Sequence, residues 1–135
     1  MSVPNLSIFF VANPPKYQGM GCYLAASIRT HFKEDVDLIG YCSAETIGDM
    51  DPYALAIYRK LNVDVRPIET AGVFDPPYSH GKKMVAAQQP RRTPYSAFMD
   101  SDMLFIAPNR ADQIYKAGHV SVAPATSMLW SGQDI

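Results

Sequence analysis

The sequence predicts an α/β domain built on a mainly parallel sheet with flanking helices. Apolar runs of strand length alternate with amphipathic segments along the whole chain. The first of these runs is apolar at nearly every position, as expected of a strand covered on both faces. At 135 residues the chain suits one domain with a proper core and is too short for two. No repeat, low-complexity tract or charged block marks a linker.

The elements follow in order. Leu6 to Ala12 is a buried strand stopped by Asn13-Pro14-Pro15, because neither proline donates to a ladder. After Gly19-Met20-Gly21, the residues Leu24, Ile28 and Phe32 share one face of an amphipathic helix that turns outward at Lys33-Glu34-Asp35. Val36 to Cys42 is the second strand. Asp51 then caps a helix with Pro52 in its first position, and Ala54, Ile57, Tyr58 and Leu61 form its apolar face. Val63 to Ile68 alternates with period two and contains Pro67, which places it towards a sheet edge. Ala71 to Tyr78 is a loop. Ser79 caps a helix from about Gly81 to Gln89, ended by Pro90. Tyr95 to Ile106 reads as a strand buried on both faces and interrupted by Asp100-Ser101-Asp102. Asn109 caps a helix from Arg110 to Ala117, Gly118 ends it, and Val120 to Pro124 is a last short strand.

Composition excludes several function classes. With 47% apolar residues and 12 basic against 13 acidic side chains, the chain has neither the basic excess of a nucleic-acid binder nor the bias of a disordered segment. Leu6 to Ala12 is too short for a membrane span and lacks the flanks of a signal peptide, so a cytoplasmic protein is expected. Cys22 and Cys42 match no zinc or redox spacing and read as reduced packing residues.

Chemistry concentrates where two carboxylates interrupt an apolar run. In an extended backbone Asp100 and Asp102 would point to the same side with Cα atoms about 7 Å apart, suited to a divalent cation shared with a ligand's phosphates. The alternative is that the run is two segments and Asp100-Ser101-Asp102 an ordinary solvated turn. Parallel sheets bind ligands beyond the carboxyl ends of their strands, which places Ala12-Asn13, Cys42-Ser43 and the acidic triplet on one rim. Ser79-His80-Gly81-Lys82-Lys83 opens a helix, a setting that favours anions. Surface exposure alone would account for both lysines. His80, His31 and His119 read first as structural, and Arg91 and Arg92 as charges on a turn. Of the loop aromatics Tyr17, Phe74 and Tyr78, Tyr17 is the preferred ligand contact because it follows the first strand. No dinucleotide fingerprint, P-loop or nucleophile elbow is present.

The run from a helix opened by His80-Gly81-Lys82-Lys83-Met84 to Phe98-Met99-Asp100-Ser101-Asp102, behind two βα units, resembles the donor-binding half of GT-A-type glycosyltransferases. The likeness extends from about Leu6 to Ala123. It implies a Rossmann-like nucleotide-diphospho-sugar transferase fold, a nucleoside-diphosphate sugar as donor, and Mn²⁺ or Mg²⁺ bridging its diphosphate to Asp102. Asp100 would contact the ribose or the metal's water shell, so the metal set is Asp100 and Asp102. Lys83, ahead of the apolar Met84, matches the family's helix lysine better than Lys82. Ala12 and Asn13 correspond to the segment lining base and ribose, and Tyr17 and Ser101 complete the expected donor contacts. Members of that family continue into an acceptor-binding half, so the likeness implies a truncated form: a fragment, or a minimal protein completed by self-association. The acceptor and the catalytic groups are not assigned. Two other classes fit the same residues, a non-catalytic nucleotide-binding or assembly module and an Asp-x-Asp phosphohydrolase. The second is disfavoured because that pattern normally sits on the first strand of its fold.

Overall fold

Leu6–Val11 (β1), Asp37–Ser43 (β2), Val63–Ile68 (β3) and Tyr95–Phe98 (β4) form one parallel sheet in the order β3-β2-β1-β4. The computed structural model that shows this describes residues 4–122. Lys16–His31 (α1), Pro52–Lys60 (α2) and Lys82–Ala87 (α3) are the crossover helices. The α/β expectation therefore holds, and β3 lies at the edge that its proline indicated.

Alternation along β1 divides the core into two layers. Leu6, Ile8 and Phe10 face α1 and α2, where they pack with Leu24, Ala25, Ile28, Ala54 and Tyr58. Phe9 faces the other way and joins Ile39, Tyr41 and Ile68 beneath Val85 and Ala86 of α3. Successive residues of a strand point to opposite faces, so a run that is apolar throughout needs helices on both sides. The helix starts differ in how they are made: Asp51 caps α2 by accepting from the Tyr53 N–H at 2.8 Å, with Pro52 following. Cys22 and Cys42 are buried and free, and burial pushes both thiols above their ordinary range.

The chain after β3 departs from the sequence expectation. The helix expected over 81–89 is the shorter α3, preceded by a 3₁₀ turn at Ser79–Gly81. The expected two-faced strand over 95–106 is only β4, a half-buried edge strand. The expected helix over 110–117 reduces to a 3₁₀ turn at Ala111–Gln113. Here the chain runs back along α1: Phe105 donates its N–H to the Ser27 hydroxyl at 3.1 Å, Phe105 meets Phe32 edge to face, and Tyr115 stacks on Tyr95 at 4.1 Å. Side-chain anchoring at these points replaces regular hydrogen bonding. Val120 to Val122 form no strand, and the remainder of that expected strand lies outside the described residues.

Arg91 and Arg92 both have structural partners. Arg92 makes a forked pair with Asp37 at 2.6 Å. Arg91 lies over the Phe9 ring at 4.2 Å and donates to the last carbonyls of α3, Ala86 at 2.9 Å and Ala87 at 2.8 Å, and to Ser96 Oγ at 2.7 Å. One side chain thus satisfies a helix end and ties it to the edge strand. Arg91→Ala is expected to cost about 2 kcal/mol, because water replaces only part of a charged donor's bonds and the ring contact is lost. Urea unfolding measures this, and an unchanged midpoint would show that solvent substitutes fully.

Candidate functional site

The strand order reverses at β1. The chain moves outward from β1 through β2 to β3 and then returns to place β4 on the other side of β1. A crevice forms at such a switch point, beyond the carboxyl ends of the two strands that diverge there. The structure has a cleft of about 120 Å³ at this point, lined by Val11 and Phe98 at the strand ends, Asp100 and Ser101 just beyond β4, Tyr17 from α1, and His80, Lys82 and Lys83 from the start of α3.

Local structure determines what each side chain offers. Met99 still donates its N–H to the Phe9 carbonyl at 3.0 Å, after which the chain turns, with the Met103 N–H bonded to the Asp100 carbonyl at 3.0 Å. Asp100 to Met103 is therefore a β-turn, with aspartate in a favoured first position. The extended geometry expected for the acidic pair is not adopted, and the turn alternative describes the backbone. Asp100 reaches the cleft, Ser101 is buried at its wall, and Asp102 is exposed and does not line it. Lys83 is exposed, with Nζ 5.8 Å from the Phe98 ring centroid. Lys82 is half-buried, and its charge reaches the Cys42 thiol, where it opposes the upward push of burial. His80 packs against Tyr78 with ring centroids 5.6 Å apart.

Four of the residues expected from sequence, Tyr17, Lys83, Asp100 and Ser101, converge on this cleft. Ala12 is fully buried and Asn13 nearly so, and neither lines it. Asn13 instead joins the ends of β1 and β2: its carboxamide accepts from the Ser43 N–H at 3.1 Å and donates to the Ser43 and Thr46 hydroxyls at 3.1 and 3.3 Å. Val11 and Phe98 were not put forward from sequence as ligand contacts, whereas His80 and Lys82 belong to the helix-start segment read there as favouring an anion, with Lys83 preferred. For Val11 and Phe98 the available signal was position, since the last residue of a strand beside a switch point borders the crevice whatever its type.

Among the described residues no group of three or more His, Cys, Asp and Glu side chains is arranged to hold a metal ion. The residues lining the cleft bring together a carboxylate, two ammonium groups and an imidazole with the apolar Val11 and Phe98. That arrangement suits an elongated ligand with both anionic and uncharged parts.

The family model of the Rhodobacterales glycosyltransferase domain matches residues 8–135. The chain belongs to this glycosyltransferase family. No curated protein matches it. The chemistry of this glycosyltransferase domain is accordingly sugar transfer, which requires a sugar donor and an acceptor. No helix among the described residues is long and apolar enough to cross a membrane.

Proposed function

We propose that this glycosyltransferase domain is of the GT-A type, binds a nucleoside-diphosphate sugar at the β1/β4 cleft, and transfers the sugar to an acceptor in a metal-dependent reaction. The observation that carries the proposal is the convergence of Lys82, Lys83, His80 and Asp100 at the switch point of a parallel sheet. Helix α3 has six residues, too few for a dipole of consequence, so side chains supply the positive charge. Lys82 and Lys83 hold the diphosphate as point charges, and Lys83 offsets the charge that develops on it as the glycosidic bond breaks. Tyr17 and Phe98 cover the uncharged part of the donor and exclude water from it.

The donor set fits a hard divalent cation. Asp100 brings carboxylate oxygens to the cleft, with Asp102 on the exposed side of the same turn, and a set this small is completed by the substrate's phosphates and by water, as Mn²⁺ and Mg²⁺ accept. When bound, such an ion acts as a Lewis acid on the departing diphosphate. Asp100 would hold it from within the cleft, with Asp102 adding its charge from the exposed side of the turn.

Calorimetric titration with uridine and guanosine diphosphates, with and without Mn²⁺, tests the reading when paired with an assay for release of the sugar from the corresponding donors. Binding at least about tenfold tighter with metal, together with turnover, is the expected result. Metal-dependent binding without turnover would identify a binding module. Failure of both nucleotides to bind under every metal condition would remove the donor-site assignment.

A further inference from the structure

A second depression opens at the carboxyl ends of β2 and β3, with a volume of about 440 Å³ and a lining that includes Glu45, Thr70, Gly72, Phe74, Tyr78 and Lys82. Lys82 also lines the β1/β4 cleft, so the two hollows adjoin at its side chain. One side of Lys82 presents charge, with Lys83, His80 and Asp100. The other presents aromatic rings and a single carboxylate. A nucleoside diphosphate has the same two halves joined end to end.

We propose that this second hollow receives the donor's nucleobase and that the base is guanine, an inference that rests on the donor-site reading above. The selecting group is Glu45. An ionised carboxylate accepts hydrogen bonds and donates none. Guanine alone among the common bases offers two adjacent donors, the ring N1–H and the exocyclic amino group, which a carboxylate engages together in charge-assisted bonds. Adenine and cytosine set their amino group beside a ring-nitrogen acceptor, and uracil sets its one N–H between two carbonyls. A carboxylate meets repulsion at each of those edges.

The backbone around Glu45 is held on both sides, with the Ala44 N–H bonded to the Ile68 carbonyl at 2.9 Å and the Thr46 N–H to the Ser43 carbonyl at 3.0 Å. The backbone of Glu45 thus sits on a held corner after β2, with its side chain exposed at the hollow. The Thr70 hydroxyl lies 3.3 Å from Ser43 Oγ and is engaged there. Tyr78 is braced edge to face by Phe74 with centroids 6.0 Å apart, and its ring is more than half exposed. Aromatic stacking tolerates every base, so Tyr78 supplies affinity while Glu45 supplies choice.

The test is calorimetric titration of the whole chain in Mn²⁺ with guanosine, inosine and uridine diphosphates, repeated for Glu45→Gln and Tyr78→Ala. Guanosine diphosphate should bind about tenfold or more tighter than uridine diphosphate, and inosine diphosphate, which lacks only the exocyclic amino group, about tenfold weaker than guanosine diphosphate. Glu45→Gln should erase these preferences, whereas Tyr78→Ala should weaken all three ligands alike. Uridine diphosphate binding as tightly as guanosine diphosphate, or Glu45→Gln weakening both equally, overturns the guanine assignment and leaves the donor site standing. No binding by any diphosphate overturns both.

Discussion

Asp100→Ala should weaken metal-dependent nucleotide diphosphate binding on the order of 100-fold, and Asp102→Ala should weaken it distinctly less. Family likeness alone ranks the two the other way, with the metal on Asp102 and Asp100 in a supporting place. The opposite ranking is expected from the backbone, because β4 ends at Phe98 and the chain turns over Asp100 to Met103. Asp100 then lines the cleft beside the buried Ser101, and Asp102 stands exposed on the turn outside it. Removing a carboxylate that bonds the metal directly loses a charge and a ligand together, whereas removing one at the rim loses mostly long-range attraction, which salt screens. Titrations in Mn²⁺ at two ionic strengths separate these cases. Equal losses for the two variants, or a greater loss for Asp102→Ala, would show that the turn rearranges on binding and that the resting geometry does not rank the ligands.

Gly21→Ala should destabilise the fold by about 2 kcal/mol or more, although alanine favours helix over glycine by about 1 kcal/mol. Gly21 lies on the buried face of α1, and a methyl group there would overlap the Tyr58 hydroxyl and approach Cε2 of Phe10 to 2.6 Å. Both rings are fully buried, with centroids 6.0 Å apart, in an interior packed too closely for either to shift freely. Displacing Tyr58 would also break the bond from its hydroxyl to the Gln18 carbonyl, a loss that is costly at a buried phenol. Burial already holds that phenol far above its ordinary pKa, so it cannot escape by ionising. Gly19→Ala, two residues earlier in the same helix and with no atom within 4 Å of the added carbon, is the control and should stabilise by about 0.5 to 1 kcal/mol. Urea unfolding of the two variants compares them directly, and a Gly21→Ala midpoint at or above wild type would refute the close-packing account.

Half of the lining of this candidate cleft was legible because its signals are local. Asp100 and Ser101 interrupt an apolar run, Lys83 follows a helix-start pattern, and Tyr17 follows a strand stopped by two prolines. Each of these is read within a few residues, and all four line the cleft. Asn13 shows where local reading stops. Its position at a strand end suits a ligand contact, yet its carboxamide is occupied by Ser43 and Thr46, about thirty residues away in sequence. Lys82 shows the converse. A surface lysine is the ordinary expectation, and only the packing of α3 beside the carboxyl ends of β1 and β2 places it between two hollows.

By itself the sequence determined the class of fold and most of the first half: strand-length apolar runs stopped by prolines, helical faces between them, the cap at Asp51 and the edge position of β3. These follow from side-chain periodicity and backbone stereochemistry, which act over a turn of helix or a few strand residues. Tertiary structure alone decided that β4 pairs with β1 and so creates the switch point, that it ends after Phe98, and that the residues beyond it run back along α1 through Phe105 and Tyr115. An apolar run specifies that it will be covered, and its neighbours specify by what. Among the described residues β4 has a strand partner on one side only, so hydrogen bonding no longer holds the chain extended and the turn at Asp100 becomes its next stable conformation.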